Sequence, residues 1–178
     1  MANKASELAG ELAALRDFFA YNTFVRRKYL DLIVSLPKET IAKDRGASFP
    51  SILDIHTHIL DVCKSWLHVY EEGEDLPELK GLSVSEVSAL EAEVDDYMDD
   101  FMQRLSAEDL KKVFQYTVGK GESKKVRTRI LGDMLWHMIE EELQHRGELN
   151  ALLWQDDIEP PVTSWFEWKE SEGRNAAR

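Results

Sequence analysis

The residues best suited to metal chemistry lie in one stretch, WHMIEEELQHRGELNALLWQ, at residues 136–155. Its apolar residues recur at the spacing of a helix that packs on a core. Glu141 and His145 are four residues apart on one face of that helix, and His137 lies one turn before Glu141. A carboxylate that faces a core is costly unless a positive group meets it. A divalent cation is therefore the partner that this spacing favours.

A further ligand would have to come from another helix, and the segment HTHILDVCKSWLH at residues 56–68 supplies three of the five histidines. His58 lies beside an apolar stripe and can face the centre of the protein, whereas His56 lies at the opposite flank and is the second choice. Together, His58, Glu141 and His145 offer two imidazoles and one carboxylate. Such a set suits zinc with an open position, and equally iron, nickel or manganese.

The same residues also have a structural interpretation. A histidine that faces a core can be a hydrogen-bonded structural residue, and Glu140, Glu141 and Glu142 can be solvated acids. Glu142 falls near the apolar side of the helix as well. Spacing alone leaves both interpretations open.

Periodicity predicts the elements that must position these side chains. Ser83 with Glu86 forms the pattern of a capping box, and Thr128 is a candidate cap for the last long helix. The acids of the third predicted helix are expected to form mostly a solvated face: Glu91, Glu93, Asp95, Asp96, Asp99 and Asp100. The segment VFQYTVGKGESKKVR, residues 113–127, alternates and turns like a short hairpin or extended crossover. The predicted helices run from about Ser6 to Leu36, from Pro50 to Tyr70, from Ser83 to Leu105 and from Thr128 to Gln155.

These elements predict an all-α protein, a four-helix bundle with the hairpin or extended connection before its last helix. The length of 178 residues fits a single domain over residues 1–178, with a core at about 14–160 and a tail at 161–178. The net charge of −12 argues against binding to nucleic acid or to anionic membranes. No apolar run reaches the roughly 18 residues that a membrane span needs.

The single cysteine, Cys63, excludes an intramolecular disulfide and fits a cytoplasmic protein. It falls near the apolar side of the second helix. A cysteine in such a position is a small hydrophobic residue, not a good candidate for a nucleophile.

Three segments resemble the DinB-like, damage-inducible family. The string LWHMIEEELQHRGELNALLWQ is similar to its signature helix, in which a metal ligand, three residues and then His-Arg-Gly close the site. The segments HILDVCKSWLHVY and RDFFAYNTFVRRKYLDLIVSLP are similar to its second and first helices, and the resemblance covers about residues 14–160. It implies a four-helix bundle in the up-down-down-up arrangement, with EEGEDLPELKGL as the long link between helices two and three.

The resemblance also implies a set of metal ligands. His58 and His145 match two of the three histidines of many members, whereas Glu141 stands where the other histidine usually lies. The related mycothiol-dependent maleylpyruvate isomerases are similar in using a His–Glu–His set, so metal binding is still expected. His137 is often histidine in the family and is expected as an alternate or outer ligand.

The function implied is that of a metal-dependent enzyme acting on a small molecule. The resemblance favours a transferase or isomerase that uses a low-molecular-weight thiol, or a hydrolase; the metal can activate a bound thiol or water. The alternative is a non-catalytic, stress-related interaction module whose metal is structural or absent. A homodimer is expected from the resemblance and from the aromatic tail, which contains Trp165, Phe166 and Trp168.

Overall fold

The protein is mostly helical, as predicted. The computed structural model describes residues 2–119 and 121–176. The four long helices are α1 (Ala2–Ser35), α3 (Ile52–Glu72), α4 (Val84–Arg104) and α5 (Leu131–Gln155). The shorter helices α2 (Lys38–Ile41) and α6 (Trp165–Ala176) follow α1 and α5, and 3-10 turns form at Ala107–Lys111 and Gly121–Ser123. Within the described residues, none of these helices combines the length and the apolar character that crossing a bilayer requires.

Local sequence signals explain where α3 and α4 begin and end. The Ser51 side chain accepts a hydrogen bond from the Asp54 amide at the start of α3, so Pro50 lies before the cap and not in the first turn as predicted. The helix ends at Gly73, whose φ of 78° is the left-handed conformation that glycine adopts without strain. The capping box of Ser83 and Glu86 starts α4, as predicted.

A hairpin precedes α5, formed by β1 (Val113–Val118) and β2 (Lys125–Ile130). The prediction of a hairpin is confirmed, but the pairing extends to Ile130. Thr128 therefore lies in β2 opposite Gln115, and the prediction that it caps α5 is wrong. No side chain caps α5; its first amide, that of Leu131, donates to the Lys112 carbonyl instead.

The long helices pack around a common apolar core. Helix α3 packs on α4 and α5, and α1 packs on the same two helices. The tail forms α6, which lies on α1: Trp168 is buried, and the Trp165 ring lies 5.2 Å from that of Phe18. Fully buried side chains occur in all four long helices, Val87 of α4 among them, and each adds about 1.5–3 kcal/mol of stability. They include Leu15, Ile33, Ile55, Leu60, Leu67, Leu131, Met134, Leu135 and Met138.

A buried ion-pair network joins α1 to both α4 and α5. The Arg26 guanidinium is 2% exposed and donates through Nη2 to Asp95 and through Nη1 to Glu142, each at 2.7 Å. The attraction of these carboxylates outweighs the effect of burial and raises the Arg26 pKa further. Asp95 and Glu91 are both buried on α4. The prediction of a solvated acidic face on that helix is therefore wrong for these two residues.

Replacement of Arg26 tests how much the network contributes. We expect Arg26→Ala to lower the free energy of unfolding by about 3–5 kcal/mol, because it removes the cation that pairs with the buried Glu142 and leaves the buried Asp95 with the exposed Arg27 side chain. Arg27→Ala is the matched control: the Arg27 side chain also contacts Asp95 but is 65% exposed, so the expected loss is about 1 kcal/mol or less. Urea unfolding measures both losses, and equal losses would contradict the role given to Arg26.

Candidate metal centre

Helices α3 and α5 bring His58, Glu141 and His145 together. One ligand atom from each residue lies within 4.8 Å of the others. The Oε2 atom of Glu141 lies 3.4 Å from Nε2 of His145 and 3.9 Å from Nε2 of His58. The two rings meet edge to face, with their centroids 4.6 Å apart. Both imidazole nitrogens thus face the same carboxylate oxygen.

The other nitrogen of His145 has a hydrogen-bond partner of its own. Its Nδ1 lies 3.2 Å from Oε2 of Glu148, and since a carboxylate accepts, Nδ1 carries the proton. That tautomer leaves the lone pair of Nε2 free for a metal, an arrangement common around metal-bound histidines. Burial disfavours the charge on Glu148, but hydrogen bonds from Ser48 and His145 outweigh this effect and lower its pKa.

The loop between α2 and α3 covers one side of the group. The Phe49 ring stacks on His58 with a centroid distance of 4.0 Å and meets His145 edge-on at 5.4 Å. The loop is held by the amide and hydroxyl of Ser48, which both donate to Glu148. Partial burial, together with the neighbouring His145, lowers the pKa of His58 and favours its neutral form. A neutral imidazole is the form that binds a metal.

A pocket of about 300 Å³ lies beside the group, with His58 among its lining residues. The aromatic rings of Trp66 and Tyr116 line it. The acids Asp61 and Asp75 line it as well, and burial raises the pKa of Asp61. A small molecule in this pocket would therefore lie against His58.

The other candidate residues from the sequence lie outside the group formed by His58, Glu141 and His145. The structure does not bring His56 into the group: it is buried on another face of α3, where its Nε2 lies 2.6 Å from Glu91. His137 lies 3.6 Å from Oε1 of Glu141, the oxygen that does not face the other two histidines. Cys63 is buried, and burial raises its thiol pKa to about 12, which agrees with its expected role as a small hydrophobic residue.

Sequence analysis did not identify Phe49, Ser48 or Glu148 as neighbours of the site. Glu148 follows His145 by three residues, so helical spacing could have suggested it. Phe49 and Ser48 lie in an irregular loop, where no periodicity indicates direction. Their contacts arise only once α3 and α5 have packed.

The donor set fits a divalent metal ion. Two neutral imidazoles and one carboxylate are ligands that zinc accepts in sites with an open position, and they also suit iron, nickel and manganese. The second group of potential ligands consists of His137, Glu140 and Glu141. Both groups include Glu141.

The solved structures that are similar to this chain include two DinB-like proteins. One is a DinB-like protein from Bacillus subtilis, 16% identical, with a TM-score of 0.58 over 83% of this chain and 96% of that chain. The other is a DinB-like protein from Bacillus cereus, 18% identical, with a TM-score of 0.57 over 80% of this chain and 90% of that chain. At these identities the likeness concerns the fold. No curated protein matches the chain. The model of the DinB family, however, matches residues 1–175, and the chain therefore belongs to that family.

Proposed function

We propose that this protein binds a divalent metal ion through His58, Glu141 and His145 and is a metal-dependent enzyme acting on a small molecule. The observation that carries the proposal is the convergence of the two Nε2 atoms on Oε2 of Glu141. The proton on Nδ1 of His145, held by Glu148, supports it further. Zinc is the first candidate for the ion, with nickel, iron and manganese as alternatives.

The surroundings of the group favour catalysis over a structural metal. Three protein ligands leave a position open, whereas structural zinc sites usually have four. His58 lines a pocket that can hold a small molecule, and the Phe49 ring, which stacks on His58, is not among the residues that line it. A bound divalent cation would supply Lewis acidity, which favours the deprotonated form of a water or a thiol. The family resemblance favours one of two reactions. One is a hydrolysis, and the other is a transfer or isomerisation that uses a low-molecular-weight thiol. The alternative to both is a non-catalytic module.

We further propose that the chain forms one domain, an up-down-down-up bundle of α1, α3, α4 and α5. Contacts between α3 and α5 run in opposite directions along the two helices: Trp66 meets His137, and His58, which precedes Trp66, meets His145. Contacts between α3 and α4 advance in the same direction, as do those between α1 and α5. This pattern supports the arrangement that the family resemblance implies.

Substitutions at Glu141 test the ligand set. We expect Glu141→Ala to weaken zinc binding by more than about tenfold, since even the loss of an outer-shell partner usually costs that much. Glu141→His should retain zinc, because it replaces one ligand with another. Asp133→Asn, which removes an exposed acid from the first turn of the same helix, is the matched control and should bind as the native chain does. The measurement is the zinc affinity of each untagged protein. Unchanged affinity in Glu141→Ala would exclude Glu141 as a ligand.

Acidification should release the metal. A free histidine titrates near pH ~6.5. The pKa of His58 is lowered, so protons compete less with the metal for this imidazole. Metal binding should therefore persist somewhat below the pH at which a free histidine titrates. Release should then take up about two protons per ion, one for each imidazole. The apolar core does not need the ion, so helicity should remain.

Metal content and circular dichroism, measured together between pH ~8 and ~5, test this expectation around the histidine pKa. Metal retained over the whole range would contradict a histidine-based site. Loss of helicity together with the metal would indicate a structural ion and favour the non-catalytic alternative.

The homodimer remains a prediction. Trp165 and Trp168 pack against Tyr21 on α1 of the same chain, which leaves Phe166, 80% exposed, as the tail's exposed aromatic side chain. We expect sedimentation at micromolar concentration to give twice the mass of the chain. A monomer mass would contradict the prediction.

A further inference from the structure

The two carboxylate oxygens of Glu141 face two different groups of ligands. Its Oε2 faces His58 and His145, whereas its Oε1 lies 3.6 Å from Nε2 of His137. The same His137 has its Nδ1 3.4 Å from Oε2 of Glu140. One ligand atom from each of His137, Glu140 and Glu141 lies within 4.8 Å of the others.

We propose that His137, Glu140 and Glu141 form a second divalent-cation site, with Glu141 bridging it to the first. A carboxylate that offers one oxygen to each of two ions holds them a few ångströms apart, and two-metal enzymes use separations of about 3.5–4 Å. The bridge rests on the proposed function, because one of its two ends is the ion held by His58 and His145. The result would be a dinuclear centre with an inner ion and a solvent-facing outer ion.

Exposed ion pairs also form where no metal binds, so the exposure of these side chains counts against a metal site. The His137 side chain is 43% exposed and that of Glu140 is 62% exposed, and ordinary pairs of this kind contribute little. Their charges, however, do not balance. Glu140 and Glu141 contribute two negative charges, and in the described part of the chain their ion-pair partners are histidines, with no lysine or arginine among them. A divalent cation bound between Glu140 and Glu141 would compensate both acids.

The position of the second group also connects it to the pocket. The Trp66 ring meets the His137 ring edge-on at 5.6 Å, and Trp66 lines the pocket together with His58. Asp61 and Asp75 line that pocket too, and their negative charges raise the local concentration of cations. His137 thus contacts a residue that lines the pocket, although it does not line the pocket itself.

The number of zinc ions per chain tests the proposal directly. Equilibrium dialysis of untagged, metal-free protein against zinc should give two ions per chain, and Glu140→Gln should give one. Asp133→Asn removes the same charge from the same helix outside either group and should still give two. With manganese, electron paramagnetic resonance should show coupled ions in the native chain and an isolated ion in Glu140→Gln.

Each other outcome has a distinct meaning. One zinc ion in the native chain, unchanged in Glu140→Gln, would overturn the outer site and leave the proposed function standing. Equal losses in Glu140→Gln and Asp133→Asn would indicate general charge attraction and also overturn it. If Glu140→Gln binds one ion fewer than the native chain while His58→Ala binds as many as the native chain, the result would support the outer site and overturn the inner one. No zinc in the native chain would overturn both.

Discussion

The ion pair between Arg26 and Glu142 helps to fix how α5 is rotated about its own axis, together with the buried apolar side chains of that helix. Successive residues of a helix point about 100° apart, so the direction of Glu142 sets the direction of Glu141. With Glu142 held against α1 by Arg26, Glu141 and His145 turn toward α3, where His58 meets them. A buried ion pair is often neutral for stability, and its contribution here is to orientation. The donor geometry thus depends on a contact on a different face of the helix.

Two non-helical segments complete the surroundings of the site. The loop before α3 covers the histidines with Phe49 and is fastened to α5 by the bonds between Ser48 and Glu148. The hairpin contributes Tyr116 to the pocket that His58 also lines. Phe49 thus contacts both imidazoles, and the pocket can admit a ligand against His58. A metal with an open position fits this arrangement better than a purely structural ion.

Helical periodicity predicted the long helices, and strand alternation with a turn predicted the hairpin, because each of these signals comes from the spacing of nearby residues. Spacing also placed Glu141 and His145 on one face of a helix, but metal binding by these residues and His58 stays a prediction. Spacing could not show that Glu91 and Asp95 are buried, since their partners His56 and Arg26 lie on other helices. The same limit applies to His56, which spacing allowed as a ligand and which Glu91 holds elsewhere. Thr128 was misassigned because backbone pairing in the hairpin outweighs a local capping preference.

Anomalous X-ray diffraction from crystals of the zinc-loaded protein tests the central claim most directly. If His58, Glu141 and His145 are the ligands, a zinc peak will lie about 2.0–2.2 Å from Nε2 of both histidines and from Oε2 of Glu141. The remaining coordination position will face the pocket lined by Trp66. A zinc peak away from these three residues, or a fourth protein ligand closing the site, would contradict the account.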